Sequence, residues 1–280
     1  MMYLLAYLDR TNIGNARVMN SETGQDLLSS TGMSAYEYTI ALMVFLIAYT
    51  VFEVPANYFL KLFGPSTWFG IIMILWGSVS MGIGGVKNYA GLTALRFLLG
   101  IFEAGLAPGL AYYVSFWYRS NERSIRLAFI YSTATLAGAF GGLIAYGISH
   151  MNNVSGLEGW RWLFLLEGLP SILAGVMIIL VLPDYPEGTK FLTPEESKLA
   201  VARMEFNGSK GKAATMTWAD AKETLTDWRL YAHYVIYFTK SCPFSSLSLF
   251  APSITRGLGY DSFNAQLMTV PPCNYPTPFP

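Results

Sequence analysis

Long, predominantly apolar stretches recur along this chain, at residues 35–60, 68–86, 89–117, 127–149, 162–182 and 231–254. A helix needs about 20 such residues to cross the hydrocarbon core of a bilayer, and a buried helix of a soluble protein seldom needs that length. The stretches therefore predict an all-α membrane protein. Residues 1–18 read as the back half of one more span. The apolar opening, 1–8, has the length of a signal-peptide core, but no basic leader precedes it, and Asp9-Arg10 stands where small residues would be needed for cleavage. The chain is 53% hydrophobic and 13% charged, where soluble domains carry roughly 25% charge. Basic and acidic residues balance at 18 each, so nothing points to nucleic acid, and the expected surrounding is the lipid bilayer.

The basic residues orient the spans. If the link after the second span faces the cytoplasm, Lys61, Arg119, Arg123, Arg126, Lys190, Lys198, Arg203, Lys210, Lys212, Lys222 and Arg229 all lie inside. The opposite side keeps Arg17, Lys87, Arg161 and Arg256, as the positive-inside rule expects. That polarity puts the sequon Asn153-Val154-Ser155 outside, with Asn153 as the glycosylation candidate, and Asn207-Gly208-Ser209 inside, where it stays unmodified.

A polar segment, 184–227, divides the spans. Thr193-Pro194-Glu195-Glu196 has the form of a capping box with proline at the first helical position, and Thr217-Trp218-Ala219-Asp220 repeats the capping logic. Trp218, Ala221, Leu225 and Trp228 fall at helical spacing and suit a stripe that lies on the membrane face or docks under the bundle. The expected organisation is a six-helix bundle over 1–183 with its first helix incomplete, a cytoplasmic loop with short amphipathic helices over 184–229, and a seventh helix with a truncated start of an eighth over 230–280.

Four charges stand where the bilayer should exclude them: Asp9, Arg10, Arg96 and Glu103. Each costs about 2.5–3.5 kcal/mol at the centre of a spanning helix on insertion scales, and together they sum to zero. Balanced buried charges usually mark a path for ions or anionic substrates. Arg96 and Glu103 lie two helical turns apart and project from one face, with Gly100 between them allowing another helix close. Asp9 and Arg10, as neighbours, point roughly 100° apart. An arginine fork clamps a carboxylate with two parallel hydrogen bonds. A dry site favours the protonated carboxyl while a nearby arginine favours the charged one, and that competition is a coupling device.

These properties give an expected division of labour. Arg10 holds an anionic substrate near the midplane, Asp9 and Glu103 carry protons, and Arg96 is their exchangeable partner. Lys240 is a candidate substrate determinant, Asn12 touches substrate or bonds across helices as Asn15 does, Glu53 near Pro55 snorkels or joins a gate, and Glu167 lines the cavity. A static ion-pair network holding the helices in register is the structural alternative for the four charges. Gly138, Gly141 and Gly142 suit small-residue packing.

Six spans, a cytoplasmic loop and further spans form the layout of the major facilitator superfamily. Within it, Tyr7-Leu8-Asp9-Arg10-Thr11-Asn12-Ile13-Gly14-Asn15-Ala16 resembles the first-helix signature of the anion:cation symporter family, most similar to its fungal allantoate and nicotinate permease branch. Phe52-Glu53-Val54-Pro55-Ala56-Asn57 resembles the second helix of that branch. Arg96-Phe97-Leu98-Leu99-Gly100-Ile101-Phe102-Glu103-Ala104 resembles its fourth, and Gly159-Trp160-Arg161-Trp162 with Phe164 its sixth. The resemblance implies proton-coupled uptake of a small organic anion, such as nicotinate or allantoate, at the plasma membrane, with the same roles for the matching residues. A nutrient sensor that binds without transporting is the alternative on the same fold. The chain leaves the family pattern after Met268-Thr269-Val270-Pro271-Pro272 and begins inside the first helix, so truncation at both ends, and with it an inactive fragment, is a further expectation. The inter-span motif at Lys61-Leu62-Phe63-Gly64-Pro65-Ser66 departs from the superfamily pattern, and Ala139 stands where the antiporter signature has proline.

Enzyme chemistry finds no support. There is no Gly-x-Ser-x-Gly elbow and no phosphate-binding glycine loop, His150 and His233 have no metal-ligand spacing, and Cys242 and Cys273 form no disulfide framework. No catalytic residue, metal or cofactor is expected, and the sequence points to no oligomeric state.

Overall fold

The computed structural model describes residues 1–189, 191–205, 222 and 225–260. The Thr217–Asp220 capping sequence, the Asn207 sequon and residues 261–280, with Cys273, lie outside the described residues. The regular elements among the described residues are all helices, with no strand among them. In chain order the helices are α1 (Met2–Val18), a short α2 (Leu27–Thr31), α3 (Ala35–Phe63), α4 (Pro65–Ile83), α5 (Tyr89–Glu103), α6 (Leu106–Trp117), α7 (Ser120–Ser149), α8 (Gly159–Val181), α9 (Pro194–Glu205) and α10 (Trp228–Gly257). Among the described residues, five segments are long and apolar enough to cross a membrane: α3, α4, α5 with α6, α7 from Asn121, and α8. Their outward faces carry exposed Val54, Phe129, Leu180 and Val181, which suits contact with hydrocarbon.

The helix boundaries follow from local chemistry. Asp26 caps α2 by accepting from the backbone N–H groups of Leu28 and Ser29. Ser34 and Glu37 close a reciprocal capping box at the start of α3, and Thr193 and Glu196 do the same for α9. The 89–117 stretch is interrupted where the sequence suggested one continuous helix. Pro108 has no N–H to offer the carbonyl four residues back, at Ala104, and α5 therefore ends at Glu103 before α6 begins at Leu106. At Gly105 a Cβ would lie 2.7 Å from the Cβ of Ala56, so the break also brings the chain against α3.

α4 pairs with α8 and α1 with α8 in antiparallel fashion, while α3 pairs with α5 and α1 with α7 in parallel. The α4–α8 seam is built on glycines seven residues apart. A Cβ on Gly70 would lie 2.9 Å from the Gly175 carbonyl oxygen, one on Gly77 2.9 Å from that of Gly168, and one on Gly84 3.0 Å from that of Arg161. Small residues let the two backbones touch, and in a bilayer that close packing largely replaces the hydrophobic effect as the cause of association. Gly100 does the same for α5 against α3, its Cβ position 2.5 Å from the Phe45 carbonyl oxygen.

Contacts between loops define two ends of the bundle. At one end Asp184 accepts from the backbone N–H of Ser66 at 2.8 Å, capping α4 beside Gly64, whose φ of +88° favours glycine. At that end Tyr113 also donates to the Pro183 carbonyl, and Arg203 of α9 pairs with Glu122 of α7. Lys61, Arg119 and Arg123 belong to this end, the one for which the charge rule predicts a cytoplasmic position. At the other end Arg161 bonds Glu158 at 2.9 Å and donates to the carbonyls of Gly84 and Val86 at 2.9 and 2.8 Å, satisfying the terminus of α4. Arg161→Ala removes charge-assisted bonds worth roughly 1.5–3 kcal/mol each in isolation. The expected result is a loss of about 2 kcal/mol, read as a lower unfolding midpoint of the purified protein, with Arg161→Lys recovering only part of it.

Candidate functional site

Two neighbouring residues of α1 reach opposite sides of the bundle. Asp9, 1% exposed, points to α4 and α8, where it accepts from Trp76 Nε1 at 3.1 Å, Ser80 Oγ at 2.9 Å and Ser171 Oγ at 3.2 Å. All three donors are neutral, and among the described residues no cation pairs with Asp9. Arg10 points to α3 and α5. Its Nη2 lies 2.6 Å from Glu103 Oε1, and its guanidinium sits 4.9 Å from the Tyr49 ring centroid and 5.4 Å from that of Phe45. The aromatic faces add an attraction that persists when the ion pair opens.

Arg96 follows a different pattern. It is 1% exposed, ranks among the largest fully buried side chains, and its Nε and Nη2 have no hydrogen-bond partner. Its guanidinium lies 5.8 Å from the Phe45 centroid, so the Phe45 ring lies within cation–π distance of both Arg96 and Arg10. Glu103 Oε2 is also buried without a partner. A cavity of about 20 Å³ lined by Tyr3, Tyr7, Arg10, Tyr49 and Glu103 opens beside the ion pair, room for about one water.

The four charges therefore divide into two groups. Asp9 belongs to a neutral-donor cage between α1, α4 and α8, while Arg10, Glu103 and Arg96 gather between α1, α3 and α5. Asn12 donates to Glu167 Oε2, away from the Arg10 cavity. Glu53 is half-buried on α3, one turn beyond Tyr49, and its carbonyl accepts from Asn57 at 2.8 Å. Lys240 is exposed on α10. Asn153 is exposed in the turn between α7 and α8, where its amide exchanges hydrogen bonds with Gln25. Among the described residues no three His, Cys, Asp or Glu side chains converge to hold a metal.

Several contributors escaped the sequence reading. Trp76, Ser80 and Ser171 are the cage of Asp9, and Phe45 and Tyr49 are the platform for the arginines. Serines inside otherwise apolar spans were the available signal for the first group. The second had none, because aromatic residues in a span usually face core or lipid.

Near its C-terminal end, away from Asp184, α1 meets α10. A Cβ on Gly14 would lie 2.6 Å from the Leu249 carbonyl oxygen and 3.9 Å from Pro252 Cδ, so the two helices close against each other there.

Comparison with known proteins gives the same architecture. The chain is 59% identical over 271 residues to the MFS transporter prlL of Fungal sp. (strain NRRL 50135), covering 97% of this chain and 55% of that protein. It is 34% identical over 273 residues to an Agrobacterium vitis protein provisionally named a tartrate transporter, covering 97% of this chain and 60% of that one. It thus spans little more than half the length of these relatives. The partially occluded inward-open structure of the xylose transporter XylE from E. coli superposes with a TM-score of 0.63 at 15% identity, over 96% of this chain and 66% of that one. At that identity the likeness speaks for the fold. Transporters of this kind are not enzymes, and a Major Facilitator Superfamily model matches residues 1–273. The chain belongs to the Major Facilitator Superfamily.

Proposed function

We propose that the complete protein is a secondary active carrier that takes up a small organic anion together with protons at the plasma membrane. The observation that carries this reading is Arg96, a fully buried guanidinium with two nitrogens lacking partners, five to six ångströms from an aromatic ring it shares with Arg10. Donors held ready in a dry site are costly to maintain without an anion to receive them. The relative provisionally named for tartrate supports a carboxylate, and the first-helix resemblance supports nicotinate or allantoate.

The exchange partner for the proton is Arg10. A proton arriving on Glu103 neutralises the carboxylate and frees Arg10, so that two guanidinium groups face the anion at once. Loss of the proton toward the cytoplasm lets Glu103 pair again with Arg10 and displaces the anion. Asp9, held only by neutral donors, is the second proton carrier. Lys240 on α10 contributes a further positive charge on the substrate path, Asn12 supports the α1 side of it through Glu167, and Glu53 gates its cytoplasmic mouth. The closed Gly14–Leu249 contact supports an arrangement open toward the cytoplasm. Asn153, exposed at the opposite end, is the proposed glycan acceptor.

The test is uptake by proteoliposomes carrying the protein in its complete reading frame, with labelled nicotinate and tartrate and an imposed pH gradient. Accumulation against the concentration gradient, driven by an acidic exterior, is expected. Glu103→Gln is expected to lose that uphill component by more than tenfold while still exchanging bound anion across the membrane. Undiminished pH-driven accumulation by Glu103→Gln removes Glu103 from the coupling role. Binding without any accumulation by the unmodified protein would favour a sensor.

A further inference from the structure

α1 packs against both α7 and α8, which touch each other much less. The space between those two helices is a cavity of about 510 Å³ with α1 as its floor, distinct from the Arg10–Glu103 site. Its walls are Leu5, Leu8, Ile144, Ile148 and Leu166, and Leu166 at 40% exposed stands at its mouth. The volume lies within the range that holds small ligands.

One charged side chain lines this apolar space. Glu167 is 6% exposed and takes the Asn12 amide on Oε2, but its Oε1 is buried with no partner, and so is Asn12 Oδ1. The groups facing this corner from the packed elements are Asp9 and Asn12 of α1, Trp76 and Ser80 of α4, and Ser171 of α8, which donates to Asp9 and also approaches the Glu167 carbonyl at 3.4 Å. None is a cation. Two orphaned acceptor oxygens, one of them on the carboxyl that lines the apolar cavity, suit a ligand donor, and one that also brings positive charge matches the ionised carboxyl as a proton alone does not. A hydroxyl supplies one donor and no charge, whereas an ammonium supplies three donors and the missing charge.

We propose that this cavity binds a primary amine carrying an aliphatic chain, reached from the bilayer. Its ammonium sits between Glu167 Oε1 and Asn12 Oδ1, and its chain runs along Leu5, Ile144 and Ile148 toward Leu166. The chain supplies apolar contact that a short, water-soluble amine lacks.

The experiment is saturable retention of labelled dodecylamine by the full protein in phosphatidylcholine nanodiscs, with dodecanol and butylamine as competitors. Retention at a single saturable site is expected, weakened at least tenfold by Glu167→Gln. Leu166→Trp, which fills the mouth without touching the Glu167–Asn12 contact, is expected to weaken it as much, and decides the matter if Glu167→Gln does not fold. Dodecanol and butylamine are both expected to compete poorly. Wild-type retention by Leu166→Trp, or by a folded Glu167→Gln, overturns the site. Equal competition by dodecanol overturns the charge requirement, and equal competition by butylamine overturns the chain.

Discussion

Gly77→Leu is expected to yield no folded protein, or one whose unfolding midpoint falls so far that little survives purification as a single species. The Cβ alone would lie 2.9 Å from the Gly168 carbonyl oxygen and 2.9 Å from Ile172 Cγ1, and the first of these is backbone that cannot turn aside. Overpacking a dense interior costs about 1–3 kcal/mol when side chains can adjust, so backbone against backbone places this change at the upper end or beyond. The same contact recurs one heptad away at Gly70–Gly175, so local relaxation at Gly77 would pull the neighbouring glycine pair apart as well. Gly82→Ala is the control on the same helix. Its Cβ would meet only Leu95 side-chain atoms at 3.7 and 3.8 Å, ordinary contact, and alanine is the better helix former by up to about 1 kcal/mol. The pair of variants is read by size-exclusion profile and thermal unfolding. Equal behaviour of Gly77→Leu and Gly82→Ala would mean that the α4–α8 seam does not hold the bundle.

Arg96→Met separates function from folding. A guanidinium buried without hydrogen-bond partners for two of its nitrogens destabilises the resting protein, and an apolar side chain of similar length removes that cost. The unfolding midpoint is expected to hold or rise. Uptake is expected to collapse, because losing one partner of a buried charged hydrogen bond costs about 2–5 kcal/mol, which is roughly 30-fold to several thousand-fold in apparent affinity. Arg96→Lys should recover only a small part, since an ammonium cannot present two parallel donors. A static role in helix register predicts the opposite pattern, with stability lost and residual transport in proportion to folded protein. Measuring both quantities on the same preparation distinguishes the two.

The fold was legible because the bilayer imposes length on its spanning elements. Residues 35–60 became α3 at Ala35–Phe63, extended by a last turn that includes Lys61, and residues 162–182 became α8 at Gly159–Val181, begun earlier by the first-turn residues Gly159, Trp160 and Arg161. Pro108 shows what length alone misses, because a continuous hydrophobic run conceals a lost backbone bond. The seam glycines were passed over for Gly138, Gly141 and Gly142, since spacing marks a small residue without saying what stands opposite. Of the three, Gly141 has only ordinary contact, with Leu8 Cδ2 at 3.4 Å. The site was legible in its charges and illegible in its partners. The sequence reading made Arg96 the partner of Glu103 and left Arg10 for the substrate, whereas in the structure the ion pair of Glu103 is with Arg10 of α1, because charges in different spans do not show in sequence which of them meet.

The placement of Asp9 and Arg10 makes α1 behave as a cam. One lobe is held by α4 and α8, the other by Glu103 and two aromatic rings. Side-chain tips ride about 5–6 Å from a helix axis, so a turn of roughly 30° sweeps each by about 3 Å. A turn of that size would draw Asp9 from its cage in the same stroke that parts Arg10 from Glu103.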